Sequence, residues 1–356
     1  MHPNNGRHPE TAPGDGDTDP DGRHHRSNAF LVDEALGFVF PAALRAAAEV
    51  GVADHLAKGP GTPGELAAAT GTDARNLYRV LRLLATRGVV TEDASGRFAL
   101  TEAGQALRSD VPYSARSAVL MLSDRTFWLP TGELTRCLTE GGSAFDEIFG
   151  MPFFDHFAQD PGTAAVFHDG MAAMSDAENA TLAAVYDFPS TGTVLDIGGG
   201  HGGLLLEVLR RNPALTGVLY DRPHVLAGHR LGTAEEIAGR WSLAEGDFFE
   251  AVPPGDVLLL KRITHDWDDD QCATLLGHCR RAVRPGGRVL ILDAVVPRDN
   301  APHQSKALDL LMMASLTGRE RTEEDFAELL GKSGLRLSRV IPTPTVLSVV
   351  EAVPAT

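Results

Sequence analysis

A glycine-rich stretch, TVLDIGGGHGG at residues 193–203, restricts the fold of this chain more than any other feature. Val194, Leu195 and Ile197 form a short apolar run typical of a buried strand, and the glycines then lead into the helical pattern LLLEVLRR. Glycine lets a backbone turn sharply and lie close to a ligand. The stretch therefore predicts the first strand, turn and helix of a nucleotide-type site.

The acid within this stretch favours a cationic ligand. Gly198, Gly200 and Gly203 match the dinucleotide pattern GxGxxG. Asp196 lies two residues before them, however, and a pyrophosphate needs N–H donors without a neighbouring anion. S-adenosylmethionine (SAM) carries a sulfonium, an ammonium and a ribose diol. We therefore expect a SAM loop in which Asp196, Gly198 and Gly200 contact the cofactor, with NAD(P) as the alternative.

Composition restricts the class of protein and its partners. With 356 residues, of which 43% are hydrophobic, the chain should form more than one domain with a proper core. The formal net charge of −16 disfavours nucleic acid and anionic membranes as partners. No window resembles a membrane span or a secretory signal, so we expect a cytoplasmic protein. The three cysteines show no metal spacing, and the acidic run at 266–270 is expected to cap a helix, so no metal is predicted.

The order of patterns along the chain predicts four regions. Residues 1–27 are polar and are expected to be a disordered tail. Residues 28–110 combine helix patterns with a final hairpin, as in a winged helix. Residues 111–186 read as helices that lead to the substrate pocket. Residues 187–356 alternate strands and helices, which predicts an α/β, doubly wound Rossmann-like sheet with an antiparallel edge.

Two of these regions carry further expectations. A winged helix can bind DNA, but its basic residues are offset by acids and the whole chain is acidic, so we favour a dimerisation domain that makes a homodimer. The helical region is rich in aromatic and methionine side chains. Most of them should pack in a core, but Met171 and Met174 lie just before the SAM domain and are chosen as lining for a flat aromatic substrate.

Polar residues at the predicted strand ends supply the remaining site. Ligands in such sheets lie at the carboxyl ends of the strands. Asp221 ends the second strand, where an acid can accept the ribose hydroxyls, and Asp247 with Phe248 ends the third, where they can contact adenine. Lys261 and His265 follow the fourth strand, close to the expected position of the sulfonium methyl. We therefore assign His265 a catalytic role.

The order of several motifs resembles one enzyme family. LDIGGGHGG, YDRPHV, EGDFF, LKRITHDW, RPGGRVLILD and GRERTEEDF are similar, in that order, to the class I SAM-dependent O-methyltransferases of the caffeic acid and acetylserotonin type. Bacterial members act on polyketides and other aromatic secondary metabolites. The resemblance covers residue 30 to the end. It implies a homodimeric enzyme that methylates a hydroxyl of such a molecule.

The resemblance also implies roles for individual residues. His265 becomes the general base, flanked by Asp293 and Glu320, and Met171 and Met312 match substrate-lining positions. Many plant members have a glutamate at the position of Asp293, which leaves open whether this carboxylate reaches the imidazole. The implied cofactor contacts are Ser175, Gly198, Asp221, Asp247, Phe248 and Lys261.

Two other functions stay open at this point. A protein of this fold can bind SAM and catalyse a non-methylating reaction such as hydroxylation, decarboxylation or a pericyclic step. It can also be a winged-helix regulator that senses a ligand, which the acidic composition disfavours.

Overall fold

The computed structural model describes residues 20–355. Of the predicted tail, residues 1–19 lie outside the described residues. Residues 20–27 belong to the first helix, so the tail prediction is wrong for them. This helix begins at Pro20, a residue favoured in a first turn because the N–H it lacks has no partner there.

The N-terminal part consists of helices followed by a small hairpin, as predicted. Pro41 falls in the first turn of the second helix, and Thr62 with Glu65 forms the capping box that starts the fourth. Val90 pairs with Leu100 in the antiparallel hairpin. The elements are α1 (Pro20–Leu36), α2 (Val39–Glu49), α3 (Val52–Leu56), α4 (Pro63–Thr70), α5 (Ala74–Thr86), β1 (Val90–Glu92), β2 (Phe98–Leu100) and α6 (Glu102–Gln105).

Six helices then connect the two parts of the chain. They are α7 (Arg116–Leu122), α8 (Arg125–Gly132), α9 (Leu134–Glu140), α10 (Ala144–Phe149), α11 (Phe153–Gln159) and α12 (Pro161–Val185). Their apolar side chains form a separate core around the buried rings of Phe127, Phe145, Phe153 and Phe157. The long helix α12 runs from this core to the C-terminal sheet.

The C-terminal part is a seven-stranded sheet in the order β5-β4-β3-β6-β7-β9-β8. Strands β3 to β7 are parallel, and the last two form the predicted antiparallel edge. The elements are β3 (Gly192–Ile197), α13 (Gly203–Arg211), β4 (Leu215–Asp221), α14 (Pro223–Leu226), β5 (Trp241–Glu245), β6 (Gly255–Lys261), α15 (Asp269–Ala282), β7 (Val283–Ala294), α16 (Gln304–Ser315), α17 (Glu323–Lys332), β8 (Leu335–Pro342) and β9 (Leu347–Pro354).

The order of the strands places the ligand site. From β3 the chain moves outward to β4 and β5 and then returns to β6 on the other side of β3, so the direction of winding reverses between β3 and β6. Such a reversal opens a crevice at the carboxyl ends of the two strands. Apolar clusters cover both faces of the sheet, which leaves this edge as the accessible part of the central strands. None of the helices in the described chain is long and apolar enough to cross a membrane.

Candidate active site

The glycine turn directly follows β3 and requires its glycines. Gly198 and Gly200 have φ angles of 64° and 58°, which side chains with a Cβ rarely adopt. A Cβ at Gly198 would also lie 2.6 Å from Cδ1 of Ile263. The turn ends at α13, whose first residue is Gly203 and which has no side-chain cap. The backbone N–H groups at this helix end therefore remain suited to a ligand.

A cavity of about 200 Å³ opens over this turn. Its walls include Gly198 and Gly200 from the turn, Asp196 from β3, and Lys261 from the end of β6. Helix α12 contributes Ser175 and Met171 across the cavity. The structure therefore brings together six of the predicted residues, although they come from three separate elements.

Asp196 and Lys261 are opposite charges at the base of the cavity. Asp196 is 1% exposed, and its Oδ2 has no hydrogen-bond partner among the described residues. Burial raises the pKa of Asp196 to about 7, and nearby Lys261 limits this rise. The Lys261 ammonium lies 2.7 Å from Ser175 Oγ and 2.7 Å from Asn179 Oδ1. Burial also lowers the pKa of Lys261 to about 8. A buried carboxylate with an oxygen that lacks a hydrogen-bond partner is suited to a cationic ligand.

Asp221 and Asp247 lie at the neighbouring strand ends, as predicted. The Asp221 Oδ2 accepts a hydrogen bond of 2.9 Å from the Gly200 N–H, so this carboxylate is tied to the glycine turn. Asp247 accepts a bond of 2.8 Å from the Phe249 N–H. The ring of Phe248 lies beside Gly198, since Cε1 would be 3.5 Å from a Cβ there. None of the three is among the residues that line the cavity itself.

His265 lies in a short 3₁₀ turn, residues 264–266, just after β6. It is 7% exposed, and its Nδ1 is 2.8 Å from Oε1 of Glu320. Its Nε2 is 3.5 Å from Oδ1 of Asp266, which is beyond a normal hydrogen bond. Glu320 therefore flanks the imidazole as expected, and it leaves Nε2 as the nitrogen available to another group.

The carboxylates around His265 change its acid–base properties. Burial by itself lowers the pKa of an imidazole, but the negative charges of Asp266, Glu320 and Asp293 outweigh this effect and raise the pKa of His265 to about 9. Burial raises the pKa of Asp266 to about 7 in spite of the nearby imidazole. Perturbed acid–base groups are typical of catalytic sites. Neither His265 nor Asp266 lines the cavity itself, whose wall ends at Ile263, two residues before His265.

Asp293 does not contact the imidazole directly. Its Oδ2 accepts hydrogen bonds from both the N–H and the hydroxyl of Thr264, and its Oδ1 is buried without a partner among the described residues. Asp293 therefore anchors the residue before His265 and makes no hydrogen bond to the imidazole. This aspartate is one methylene shorter than the glutamate of many plant members, and its Oδ2 already accepts two hydrogen bonds from Thr264.

The three methionines assigned to the substrate lie in different surroundings. Met171 and Met174 both pack against the phenylalanine core of the helical region, but only Met171 also lines the cavity. Met312 is buried on α16 and is not among the cavity residues. Trp267 follows His265 by two residues, and its ring stacks on that of Phe154 with the ring centroids 5.6 Å apart. An aromatic pair thus lies directly after the turn that carries His265.

Three charged residues beside this site were not predicted from the sequence. Asp266 was assigned to a capping run, although only Asp268 caps α15, through the Gln271 N–H. Glu178 and Arg262 form a buried ion pair of 2.6 Å beside the cavity. Arg262 has a φ of 54°, which is unusual for a bulky residue and marks a strained point after β6. Two sequence features could have identified two of them: Asp266 is adjacent to His265, and Glu178 is three residues from Ser175 on one helix face.

Comparison with protein families gives two matches along this chain. The model described as an O-methyltransferase dimerisation domain matches residues 32–110. The model described as an O-methyltransferase domain matches residues 132–336. The two matches together cover the helical N-terminal part and the parallel strands β3 to β7 that carry the cavity.

Individual relatives agree with these matches. Phenazine O-methyltransferase PhzM of Lysobacter antibioticus is 38% identical over 332 residues, which is 92% of this chain and 96% of that protein. The structure of CalO1, a methyltransferase in calicheamicin biosynthesis with S-adenosylhomocysteine bound, is 52% identical, covers 93% of this chain and 98% of its own, and superposes with a TM-score of 0.87. An O-methyltransferase from neocarzinostatin biosynthesis, solved with SAM and 2-hydroxy-5-methyl naphthoic acid, is 32% identical over 88% of this chain and 95% of its own, with a TM-score of 0.74.

Proposed function

This chain belongs to the O-methyltransferase family and is a SAM-dependent enzyme, and from that premise we propose that it methylates a hydroxyl of a flat aromatic or polyketide-like secondary metabolite, with His265 as the general base. The single observation that carries the residue assignment is the buried imidazole of His265. One ring nitrogen of this imidazole is held by Glu320, and the other, Nε2, has Asp266 Oδ1 at 3.5 Å and no shorter polar contact among the described residues.

The residues of the cavity fit the cofactor. The unpartnered Oδ2 of Asp196 needs a donor or a cation, and SAM carries two positive centres. In this proposal Asp196, Ser175 and Lys261 hold the methionine part over the Gly198 turn. Asp221 accepts from the ribose, and Asp247 with Phe248 contacts adenine. The bound cofactor supplies a methyl group made electrophilic by its positive sulfur.

His265 performs the proton transfer in this scheme. Glu320 at Nδ1 fixes the tautomer whose Nε2 is an acceptor, so Nε2 takes the proton of the acceptor hydroxyl. A phenol of pKa ~10 loses its proton to an ordinary imidazole at a cost of about 5 kcal/mol. With the pKa of His265 raised to about 9, the difference falls to one unit, which is about 1.4 kcal/mol. Asp266 and Glu320 then stabilise the imidazolium.

The surroundings of His265 support a planar apolar acceptor. The Phe154–Trp267 pair lies next to the catalytic turn, and Met171 in the cavity wall packs against the phenylalanine core of the helical region. Such side chains pack well against flat rings. The names of the relatives are consistent with this class, since they refer to phenazine and naphthoic acid molecules. Met171, Met174 and Met312 are proposed to contact this acceptor.

The N-terminal helices support a homodimer. Large apolar side chains of α1 and α2 are exposed, including Phe30 at 61%, Leu31 at 64% and Phe38 at 61%. An exposed apolar surface of this kind marks an interaction site, and the dimerisation match begins at residue 32. We assign this surface to a second copy of the chain. The free state of all three cysteines suits a reducing compartment such as the cytoplasm.

The test is the formation of S-adenosylhomocysteine. Purified protein is incubated with SAM and a panel of hydroxylated aromatic compounds, and products are followed by mass spectrometry. We expect S-adenosylhomocysteine in equal amount to an acceptor heavier by one methylene. An acceptor that is consumed without S-adenosylhomocysteine would indicate a non-methylating reaction instead. Calorimetry with SAM and NADH side by side tests the cofactor independently.

A further inference from the structure

Among the residues whose burial the structure describes, Arg321 is the least exposed of the large charged side chains, at 1%, and it reaches the turn that carries His265. Its Nη1 donates to the carbonyl oxygen of Thr264 at 2.6 Å, and its Nη2 donates to that of Trp267 at 3.1 Å. These two carbonyls lie on either side of His265 in the chain. Asp269 holds the guanidinium from the outside, with its Oδ1 at 3.1 Å from Nε and 2.7 Å from Nη2.

The turn depends on such a donor. Residues 264–266 form a single 3₁₀ turn without a side-chain cap, so their carbonyls gain little from regular secondary structure. Thr264 is bound on its N–H and hydroxyl by Asp293, and on its carbonyl by Arg321 and the Cys272 thiol. Buried carbonyls without donors are costly. A thiol is a weak donor, so the guanidinium supplies the strong hydrogen bonds to two carbonyls that otherwise have only the Cys272 thiol of α15.

The segment that contains Arg321 packs closely against the same turn. Gly318 lies so close that a Cβ there would overlap the carbonyl oxygen of His265 and come within 2.5 Å of the Asp266 carbonyl carbon. The next but one residue, Glu320, binds the imidazole Nδ1. Two consecutive side chains thus hold one catalytic unit: Glu320 holds the ring, and Arg321 holds the backbone around it.

We propose that Arg321 is a positioning residue for the methyl transfer, acting through His265 by fixing the carbonyls of Thr264 and Trp267. This inference rests on the proposed function, because it assumes that His265 is the base. Misplacement of a catalytic group by about 1 Å costs about 100-fold in rate. Loss of the clamp should therefore lower kcat strongly while the cavity for SAM, formed by other elements, still binds its ligand.

Arg319 provides a matched control. It lies in the same segment and carries the same charge, and it pairs with Asp269 at 3.0 Å and Asp325 at 3.2 Å. Its guanidinium donates to these two carboxylates and not to the carbonyls of the His265 turn. R319Q and R321Q therefore remove the same charge from the same segment, but only R321Q removes the clamp.

The experiment measures kcat, KM and the SAM dissociation constant for the wild type, R319Q, R321K and R321Q, and repeats R321Q in an H265Q background. R321Q should lower kcat about 100-fold, change the SAM dissociation constant less than threefold, and lower the residual rate of H265Q less than threefold. R321K, which keeps one donor group, should lose about tenfold, and it replaces R321Q in both backgrounds if R321Q does not fold. The kcat of R319Q should stay within twofold of that of the wild type.

Two outcomes would overturn the inference. One is an equal loss of rate from R321Q in the wild-type and H265Q backgrounds, and the other is an unchanged kcat in a folded variant at position 321.

A second readout separates this inference from the proposed function. Hydrogen exchange of the peptide that covers residues 262–269 needs no substrate, and it should be faster in R321Q than in R319Q or the wild type. Equal exchange in all three proteins would overturn the clamp. A wild type that shows the protected peptide but forms no S-adenosylhomocysteine with any acceptor would overturn the proposed function alone.

Discussion

Replacement of Glu320 by glutamine should lower the pH at which the enzyme becomes active. Glu320 is one of three carboxylates that outweigh burial and raise the pKa of His265 to about 9, and it is the one in direct contact, at 2.8 Å. An opposite charge within a few ångströms shifts a pKa by about 1–3 units. The E320Q change keeps the size of the side chain and removes this charge. The pKa of the imidazole should therefore fall toward its ordinary value of about 6.5.

The consequence for rate depends on pH. With a pKa of about 9, only about 1% of the imidazole is neutral at pH 7, whereas most of it is neutral at pH 10. A lower pKa in E320Q increases the neutral fraction at pH 7 and changes little at pH 10. For each unit by which the pKa of His265 falls, the ratio of the wild-type rate to the E320Q rate should be about tenfold smaller at pH 7 than at pH 10. At pH 10 the variant should be about 10- to 100-fold slower, because it has lost the charge that stabilises the imidazolium formed in the proton transfer.

The assay is a profile of initial rate from pH 6 to 10.5 at saturating SAM. Two acceptors with different phenol pKa values are needed, because a midpoint that follows the acceptor belongs to the acceptor and not to His265. E323Q is the matched control, since Glu323 is an exposed acid three residues away. A midpoint in E320Q that equals or exceeds that of the wild type would refute the assignment of Glu320 as the charge partner of the base.

Three further outcomes are expected. H265Q should reduce methyl transfer by about 100-fold or more while calorimetry finds the SAM dissociation constant unchanged, since a general base contributes to chemistry and not to cofactor binding; a variant as fast as the wild type would exclude His265 as the base. D221A should weaken SAM binding by roughly 10- to 100-fold, because it removes both the proposed ribose acceptor and the 2.9 Å bond to Gly200; equal affinity in calorimetry would contradict this role. The pKa of His265 is raised in the folded protein, so its contribution to stability is complete below pH 6.5 and is lost as pH rises through about 9. Denaturant unfolding of H265Q should accordingly show a weaker decline in stability over that range than the wild type, and parallel curves would count against the raised pKa.

The sequence alone was sufficient for the architecture. The apolar runs at residues 193–197 and 256–261 predict the central parallel strands because a strand buried on both faces is apolar along most of its length. The glycine turn, with its positive φ angles, could be identified because only glycine takes that backbone at low cost. Residues at strand ends, such as Asp221 and Asp247, could be placed at one edge because parallel strands end together.

Only the tertiary structure decided what each of these side chains contacts. His265 and Glu320 are 55 residues apart, and their 2.8 Å contact depends on the packing of the segment after α16 against the end of β6. The same packing assigns Asp293 to Thr264 and places Asp266 beside the imidazole. Arg321 could not be distinguished in sequence from the neighbouring Arg319, which is partly exposed. The physical reason is that local patterns report the periodicity of burial, whereas the direction and partners of a charged side chain depend on atoms brought from distant parts of the chain.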